Sequence, residues 1–236
     1  MNLKQLNWYR IDAICNKLYI IKEINELKEA LNYVQENNLK ILILGDGSNI
    51  LLNEDLKDYC VIKIDFKDIF YIEYADHYFL KVGAGYNFDD FVKYCLDLKT
   101  QKIMNLSGIP GDIGGVTFMN IHYKEYYLSD FIDTVEVFDL LSKDIKILNK
   151  SEVQFTYTDN LFKKENRYII LSVSFNLEKN DSIQSKNIRN IVLNNRNLRY
   201  PKSHTCGCFF YNLKNIKDIK TSIGYHIENS DIENKY

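Results

Sequence analysis

The sequence is poor in several residue types, and each shortage excludes a class of protein. The net charge is only −2, from 30 Lys and Arg against 32 Asp and Glu, which gives no electrostatic case for binding nucleic acid or an anionic membrane. No apolar run approaches the length that spans a bilayer, and the N-terminus has no signal-peptide core. The cysteines are odd in number and dispersed, which argues against a disulfide framework and predicts a reducing, cytoplasmic location: Cys15, Cys60, Cys95, Cys206 and Cys208.

Apolar residues, in contrast, make up 46% of the chain, so it can form a packed core. Their spacing predicts helices at 24–35, after Asn87 and at 188–198, with a polar linker at 179–185. Strands are predicted at 40–44, 60–64, 69–74, 78–82, 133–140, 145–148 and 168–177. Because helices and strands mix without strict alternation, we predict an α+β fold and not a doubly wound parallel sheet.

Glycine is scarce, with ten in the chain, yet two stand close together directly after the strand predicted at 40–44. The stretch Gly45, Asp46, Gly47, Ser48 and Asn49 offers backbone N–H groups free of bulky side chains, plus a hydroxyl and an amide, which suits a pyrophosphate. It is not a Rossmann fingerprint, because the third glycine and the following helix are missing. Taken alone, such a stretch is more often a tight turn than a binding loop.

A second glycine-rich stretch, GIPGDIGG, begins at Gly108 and holds four of the ten glycines. Backbone here can approach a ligand closely, and a helix starting here would direct its N-terminus at an anion. The alternative is a close-packed crossover between elements. Two such clusters in a glycine-poor chain favour a shared nucleotide-type ligand, and the candidate residues of the second cluster are Ile109, Pro110, Gly111, Gly114 and Gly115.

Cys206 and Cys208 flank Gly207 close to His204, which raises the question of a metal site. Metal sites usually need further ligands at recognisable spacing, and none follows, so no metal is predicted. A thiol at the edge of a pocket is the better interpretation, and two buried small residues are the alternative.

The motifs together resemble the UDP-N-acetylenolpyruvoylglucosamine reductase family (MurB), and they come in the order that the family has. The matching stretches are LGDGSNILLNED at 44–55, LSGIPGDIGGVTFMN at 106–120, FTYTDNLFK at 155–163 and CGCFFYN at 206–212. The resemblance implies two α+β subdomains of the vanillyl-alcohol-oxidase type that clasp FAD, at 1–65 and 66–178. A truncated α+β substrate-binding domain is expected at 179–236.

The resemblance also implies a reaction, the NADPH-using reduction of UDP-N-acetylglucosamine enolpyruvate to UDP-N-acetylmuramate for peptidoglycan, in a protein expected to be a monomer. FAD and NADPH are the implied cofactors. Both glycine loops would hold the FAD, with Ser48 and Asn49 as side-chain donors, and Tyr157 and Asn212 would contact the nucleotide-sugar substrate. The reaction needs a proton donor and groups that stabilise an enolate, and Cys208 stands where the family has its acid, a serine.

The sequence departs from the family at positions that matter for this reaction. Thr158 stands in place of the arginine that would stabilise the enolate, and Tyr211 in place of a lysine. MNIHYKEYY, at 119–127, replaces a glycine-containing stretch, and the chain ends at Tyr236, before the segment that carries the family's glutamate. The alternative interpretation is a flavin- or nucleotide-binding relative that has lost reductase activity.

Overall fold

The computed structural model describes residues 1–157, 159–180, 182–199 and 230. The helices in these ranges are α1 (Ile24–Glu36), α2 (Phe88–Asp97), α3 (Ile113–Met119), α4 (Lys150–Val153), α5 (Leu161–Glu165) and α6 (Ser182–Arg199). The strands are β1 (Ile14–Ile21), β2 (Lys40–Ile43), β3 (Asp55–Ile64), β4 (Ile69–Glu73), β5 (His77–Gly83), β6 (His122–Tyr123), β7 (Tyr126–Tyr127), β8 (Ile132–Asp139), β9 (Asp144–Asn149) and β10 (Tyr168–Glu178). None of these helices combines the length and the apolarity needed to cross a membrane.

A parallel sheet of three strands, in the order β1-β3-β2, forms the first part of the fold. The middle strand, β3, is buried at Cys60, Val61 and Ile62, and α1 contributes a buried face of the helical spacing that the sequence predicts. After β2 ends, the chain passes directly into the glycine loop that starts at Gly45. The sheet therefore holds one end of this loop in place.

The second sheet is antiparallel, with the strand order β4-β5-β10-β8-β9. Its central strand, β10, is buried over most of its length, and the Phe91 ring of α2 lies 4.7 Å from Phe175 on that strand. The predicted N-cap of α2 is confirmed, because the Asn87 side chain accepts a hydrogen bond from the Asp90 N–H at 3.0 Å. Helix α2 thus covers this sheet with the face that its sequence marks as apolar.

Helix α3 connects the two sheets. It packs against β5 and β10 of the second sheet, while its first turn lies beside the loop that follows β2 of the first sheet. A Cβ built on Gly115 would lie 3.9 Å from the Cα of Gly45. The two glycine-rich stretches are therefore neighbours in space, although they are far apart in sequence.

The structure confirms the seven predicted strands with shifted bounds, and it adds β1, β6 and β7, which are not among them. The prediction for the last helix is wrong at its start: α6 begins at Ser182, inside the predicted linker at 179–185. This helix docks partly through polar side chains such as Arg189, and it leaves Ile191 and Leu198 exposed. Its apolar residues, among them the buried Val192, therefore mark its buried face only in part, and apolar spacing is a weak signal for its bounds.

Candidate cofactor cradle between two glycine loops

The first glycine loop, residues 45–49, leaves its backbone donors unused. Of its five N–H groups, none donates a hydrogen bond to an acceptor in the described part of the chain. Gly47 is buried, and only Asn49 of the five residues is fully exposed. Unpaired N–H groups are costly in partly buried backbone, and a concave run of them is typical of an anion site. The loop therefore fits the phosphate groups of a dinucleotide such as FAD.

The N-terminal segment closes over this loop. A Cβ on Gly47 would lie 2.1 Å from the Leu6 carbonyl oxygen and 2.8 Å from the Asn7 Cα, and Gly47 has φ +70°. The Trp8 N–H donates to the Gly47 carbonyl at 3.1 Å, and the Trp8 indole N–H donates to Asp46 at 3.1 Å. Glycine is thus required at position 47 by a contact of the chain with itself.

The second loop differs, because its helix N-terminus is fully used inside the protein. Its first-turn N–H groups all have acceptors: Ile113 donates to Tyr86 O at 2.9 Å, Gly114 to Ala84 O at 2.8 Å, Gly115 to Asp112 Oδ1 at 2.9 Å and Val116 to Asp112 O at 2.9 Å. The carboxylate of Asp112, the N-cap residue, accepts one of these bonds inside the chain. An anion at this helix N-terminus stays a prediction from the sequence.

A lysine and a serine join the two loops. Lys63 Nζ, on β3, donates to the Gly45 carbonyl at 2.8 Å and pairs with Asp112 Oδ2 at 3.2 Å. The Ser48 hydroxyl donates to the Pro110 carbonyl at 3.2 Å. Burial raises the pKa of the Asp112 carboxyl, and the charge of Lys63 opposes that rise. The sequence analysis missed Lys63, since nothing in the local sequence marks its contact with a residue 49 positions away.

The remaining predicted residues of the second loop line the same junction. Gly111 has φ +142°, and a Cβ there would lie 2.8 Å from Val116 Cγ1 and 3.7 Å from the Ser48 hydroxyl oxygen. Ile109 is buried and Pro110 half-buried. The structure thus brings the predicted residues of both loops together around one cradle. Each of these glycines also packs closely against another part of the chain.

Helix α6 fixes the start of the second loop through a charged network that the sequence did not reveal. Arg189 donates to both carboxylate oxygens of Asp89 at 2.8 Å, and Asp89 Oδ1 also accepts the Gly108 N–H at 2.7 Å. Arg196 Nε donates to the Gly108 carbonyl at 3.1 Å. Burial acts to raise the pKa of Asp89, but the Arg189 and Gly108 hydrogen bonds outweigh it and the pKa is lowered. Bidentate arginine pairs fix geometry, so α6 holds Gly108 in place from outside.

The far end of α3 carries an aromatic cluster that includes the predicted substrate residue Tyr157. The Asn120 side chain donates to the Thr156 carbonyl at 3.0 Å, which holds this segment against the end of α3. Tyr157 is 42% exposed, and its ring lies 5.0 Å from His122 and 6.5 Å from Tyr127. Burial lowers the pKa of His122. Partly exposed rings suit contact with a ligand ring, so this position is compatible with the predicted substrate contact.

Several predicted positions lie outside the described residues. These are the predicted acid Cys208, the predicted substrate residue Asn212, and the departures at Thr158 and Tyr211. Their roles stay predictions from the sequence. Within the described ranges, no group of three or more His, Cys, Asp or Glu could hold a metal ion.

Comparison with known proteins defines first the class and then the family. The FAD binding domain family matches residues 17–144, which is more than half of the chain. The fold is similar to that of a VAO-type flavoprotein from Myceliophthora thermophila, with a TM-score of 0.50 at 16% identity over 70% of this chain and 32% of that one. The chain is thus an FAD-binding-domain protein with an α+β fold of the vanillyl-alcohol-oxidase type, as the sequence predicts.

The chain belongs to the UDP-N-acetylenolpyruvoylglucosamine reductase family. It is 37% identical over 177 residues to the reductase of that name from Xanthomonas campestris, which covers 74% of this chain and 50% of the relative. The reductase structure from Thermus caldophilus shares the fold with a TM-score of 0.77 at 22% identity, over 97% of this chain and 77% of that one. The chain therefore spans about half the length of the curated relatives it matches.

Proposed function

We propose that the chain binds FAD in the cradle between its glycine loops and uses NADPH to reduce an enolpyruvyl nucleotide sugar, the reaction of its family. The observation that supports FAD binding most directly is the half-buried loop at 45–49, whose five N–H groups have no acceptor among the described residues. A pyrophosphate carries several acceptor oxygens, and such a run can satisfy them without moving. The matched FAD binding domain supports the same ligand independently.

Within this proposal, the residues divide between binding and chemistry. When bound, FAD would supply the redox chemistry that carries a hydride from NADPH to the enolpyruvyl double bond. The amides of 45–49 hold the pyrophosphate, and Ser48 couples that loop to the second one. The thiol of Cys208 donates the proton to the neighbouring carbon, since free thiols are mostly protonated at neutral pH.

The enolate that forms on the substrate needs a nearby cation or hydrogen-bond donor. Thr158 provides only a neutral hydroxyl at the family's arginine position. Two lysines, Lys163 and Lys164, follow on α5, and Lys164 pairs with Asp159 at 3.6 Å. Burial lowers the pKa of Lys163, and the charge of Asp159 opposes that shift. Lys163 and Lys164 are our candidates for the missing cation.

Flavin loading and turnover test this proposal separately. Trp8 is the sole tryptophan and bonds to Asp46 in the first loop, so its fluorescence reports FAD entering the cradle. Loaded protein should show flavin absorbance that denaturation releases, which indicates non-covalent binding. NADPH oxidation should then accelerate when UDP-N-acetylglucosamine enolpyruvate is added. Protein that never takes up FAD would remove the proposal entirely.

The second candidate function is a flavin-binding relative without reductase activity. It is favoured by Thr158 at the arginine position. It predicts full FAD loading with no effect of the enolpyruvyl substrate on NADPH oxidation. Thr158→Arg discriminates further: one charge-assisted donor is worth about a hundred- to a thousand-fold in rate, so the variant should turn over faster only if the chain is a weakened enzyme.

The acid role of Cys208 is tested on the two half-reactions by stopped flow. Cys208→Ala should leave flavin reduction by NADPH intact, because that step needs no acid from this position. Reoxidation by the enolpyruvyl substrate should slow by about a hundred- to ten-thousand-fold. Cys208→Ser should keep part of the rate, and the matched control Cys206→Ala should keep all of it. Reoxidation of Cys208→Ala at the wild-type rate would exclude the thiol as the acid.

A further inference from the structure

The Lys63–Asp112 ion pair is the most buried charged contact beside the cradle. The two side chains are 18% and 8% exposed, and Nζ lies 3.2 Å from Asp112 Oδ2. The same ammonium donates to the Gly45 carbonyl at 2.8 Å. One lysine therefore touches both loops at the point where the run of unused N–H groups begins.

The contact with Gly45 has a directional consequence. In a trans peptide, the carbonyl of one residue and the N–H of the next point in opposite directions. Because Lys63 draws the Gly45 carbonyl towards β3, the Asp46 N–H is turned to the opposite side of the peptide. Lys63 thus determines where the second N–H of the run points.

The carboxylate of Asp112 is close enough to the Gly45–Asp46 peptide to repel an anion bound there. Its Oδ1 would lie 2.8 Å from a Cβ on Gly45, so it stands directly behind the first residue of the run. Asp46 adds a second carboxylate, and its charge contributes to the raised pKa of Asp112. Like charges in a partly buried site repel strongly, because little water screens them. Lys63 is the positive group that pairs with Asp112 here.

We propose that Lys63 is a positioning residue for the anionic cofactor, which orients the Gly45–Asp46 peptide and neutralises Asp112 behind it. This inference rests on the proposed FAD binding. This positioning role differs from a purely structural role in one respect. The lysine and the aspartate of the ion pair have opposite expected effects on FAD binding. Removing the lysine leaves a negative charge behind the phosphate site, whereas neutralising the aspartate leaves a positive one.

The variants Lys63→Met and Asp112→Asn expose this asymmetry. Lys63→Met releases the Gly45 carbonyl and leaves Asp112 unpaired. Asp112→Asn keeps an acceptor for the Gly115 N–H and keeps Lys63 on Gly45. A pair that only stabilises packing would weaken FAD binding to a similar extent in both variants.

The experiment is an FAD titration of the full chain, followed by Trp8 and flavin fluorescence, with thermal unfolding of the FAD-free protein alongside. Lys63→Met should bind FAD about a hundred-fold more weakly than wild type. Asp112→Asn should bind as tightly as wild type or more tightly, and the double variant should recover at least tenfold of the loss. Lys81→Met is the matched control, because Lys81 pairs with Glu136 in the second sheet and should not affect the affinity.

Lys63→Gln is the second variant if Lys63→Met does not fold, since its side-chain amide can still donate to Gly45 while the charge is gone. We expect it to bind FAD about tenfold more weakly than wild type. Equal losses in the lysine and aspartate variants, or unchanged affinity without the lysine, overturn this inference alone. Wild-type protein that binds no FAD overturns the proposed function and this inference with it.

Discussion

The two glycine loops look alike in sequence, but they use their backbones in opposite ways. None of the five N–H groups of residues 45–49 has an acceptor in the described part of the chain, whereas every N–H of residues 113–116 has one. Both loops contain glycines that contact other parts of the chain. The comparison teaches that a glycine marks close packing, while the amides without an acceptor in the described residues are the donors that we propose for the ligand.

The glycines themselves support this distinction. A Cβ on Gly47 would overlap the backbone of Leu6, and a Cβ on Gly114 would lie 3.1 Å from the Cβ of Ala84. Both are contacts of the protein with itself. The N–H donors of the first loop are backbone groups that any residue would provide, and glycine serves to let the chain fold around them.

The largest effect is expected from Gly47→Ala. The added Cβ meets the Leu6 carbonyl at 2.1 Å, where only backbone could move, and φ +70° disfavours alanine by about 1–2 kcal/mol. We expect a total loss of stability of about 3 kcal/mol and no retained FAD. Thermal unfolding and flavin absorbance after gel filtration measure both.

Gly108→Ala is the matched control for this substitution. Gly108 has nearly the same backbone angle, φ +71°, but a Cβ there meets the Leu193 side chain at 2.8 Å and that of Arg196 at 3.4 Å. Because side chains can move aside, Gly108→Ala should lose only the stability that the strained backbone angle costs. This variant should still bind FAD. Equal damage in both variants would contradict the claim that the N-terminal segment closes the first loop.

Amide hydrogen exchange tests the comparison without any mutation. On addition of FAD, exchange at residues 45–49 should slow by at least about tenfold, because free N–H groups gain phosphate acceptors. Exchange at residues 113–116 should change little, because those groups are already bonded in the FAD-free protein. Protection that increases only at 113–116 would reverse the assignment of the two loops.

The sequence predicted much of the fold and both loops, but not the contacts between them. Local spacing was enough for α1, α2 and seven of the ten described strands, because nearby residues in the sequence form their apolar faces. Lys63 and Arg189 act on residues 49 and 100 positions away, and no local pattern marks such partners. The sequence analysis also missed the cap of α3, because it did not recognise Asp112 as the N-cap residue.

A smaller effect is expected from Ser48→Ala, which removes the hydroxyl bond to the Pro110 carbonyl. One such hydrogen bond contributes about 1 kcal/mol, so FAD should bind roughly fivefold more weakly as the loops separate. Ser107→Ala is the control, since Ser107 makes a similar bond to the Met104 carbonyl at 2.6 Å, away from the junction. That control should lower stability and leave the FAD affinity unchanged. A titration in which the two variants behave alike would show that the Ser48 bond does not couple the loops.

The smallest effect is expected from Gly114→Ala. If glycine at 114 served to admit a ligand, alanine there would weaken FAD binding. The structure instead points the added Cβ at Ala84, 3.1 Å away, a distance at which the neighbour must shift by a few tenths of an ångström. Alanine also gains about 1 kcal/mol of helix propensity over glycine, which offsets part of that overlap.

The free energy of unfolding of Gly114→Ala, measured by thermal unfolding, should therefore change by no more than about 1 kcal/mol. The FAD affinity of this variant should stay within about threefold of wild type. The double variant Gly114→Ala with Ala84→Gly removes the overlapping methyl group and supplies the control. It should relieve the overlap with no further change in FAD binding. If Gly114→Ala loses FAD while its stability is intact, residue 114 contacts the ligand directly.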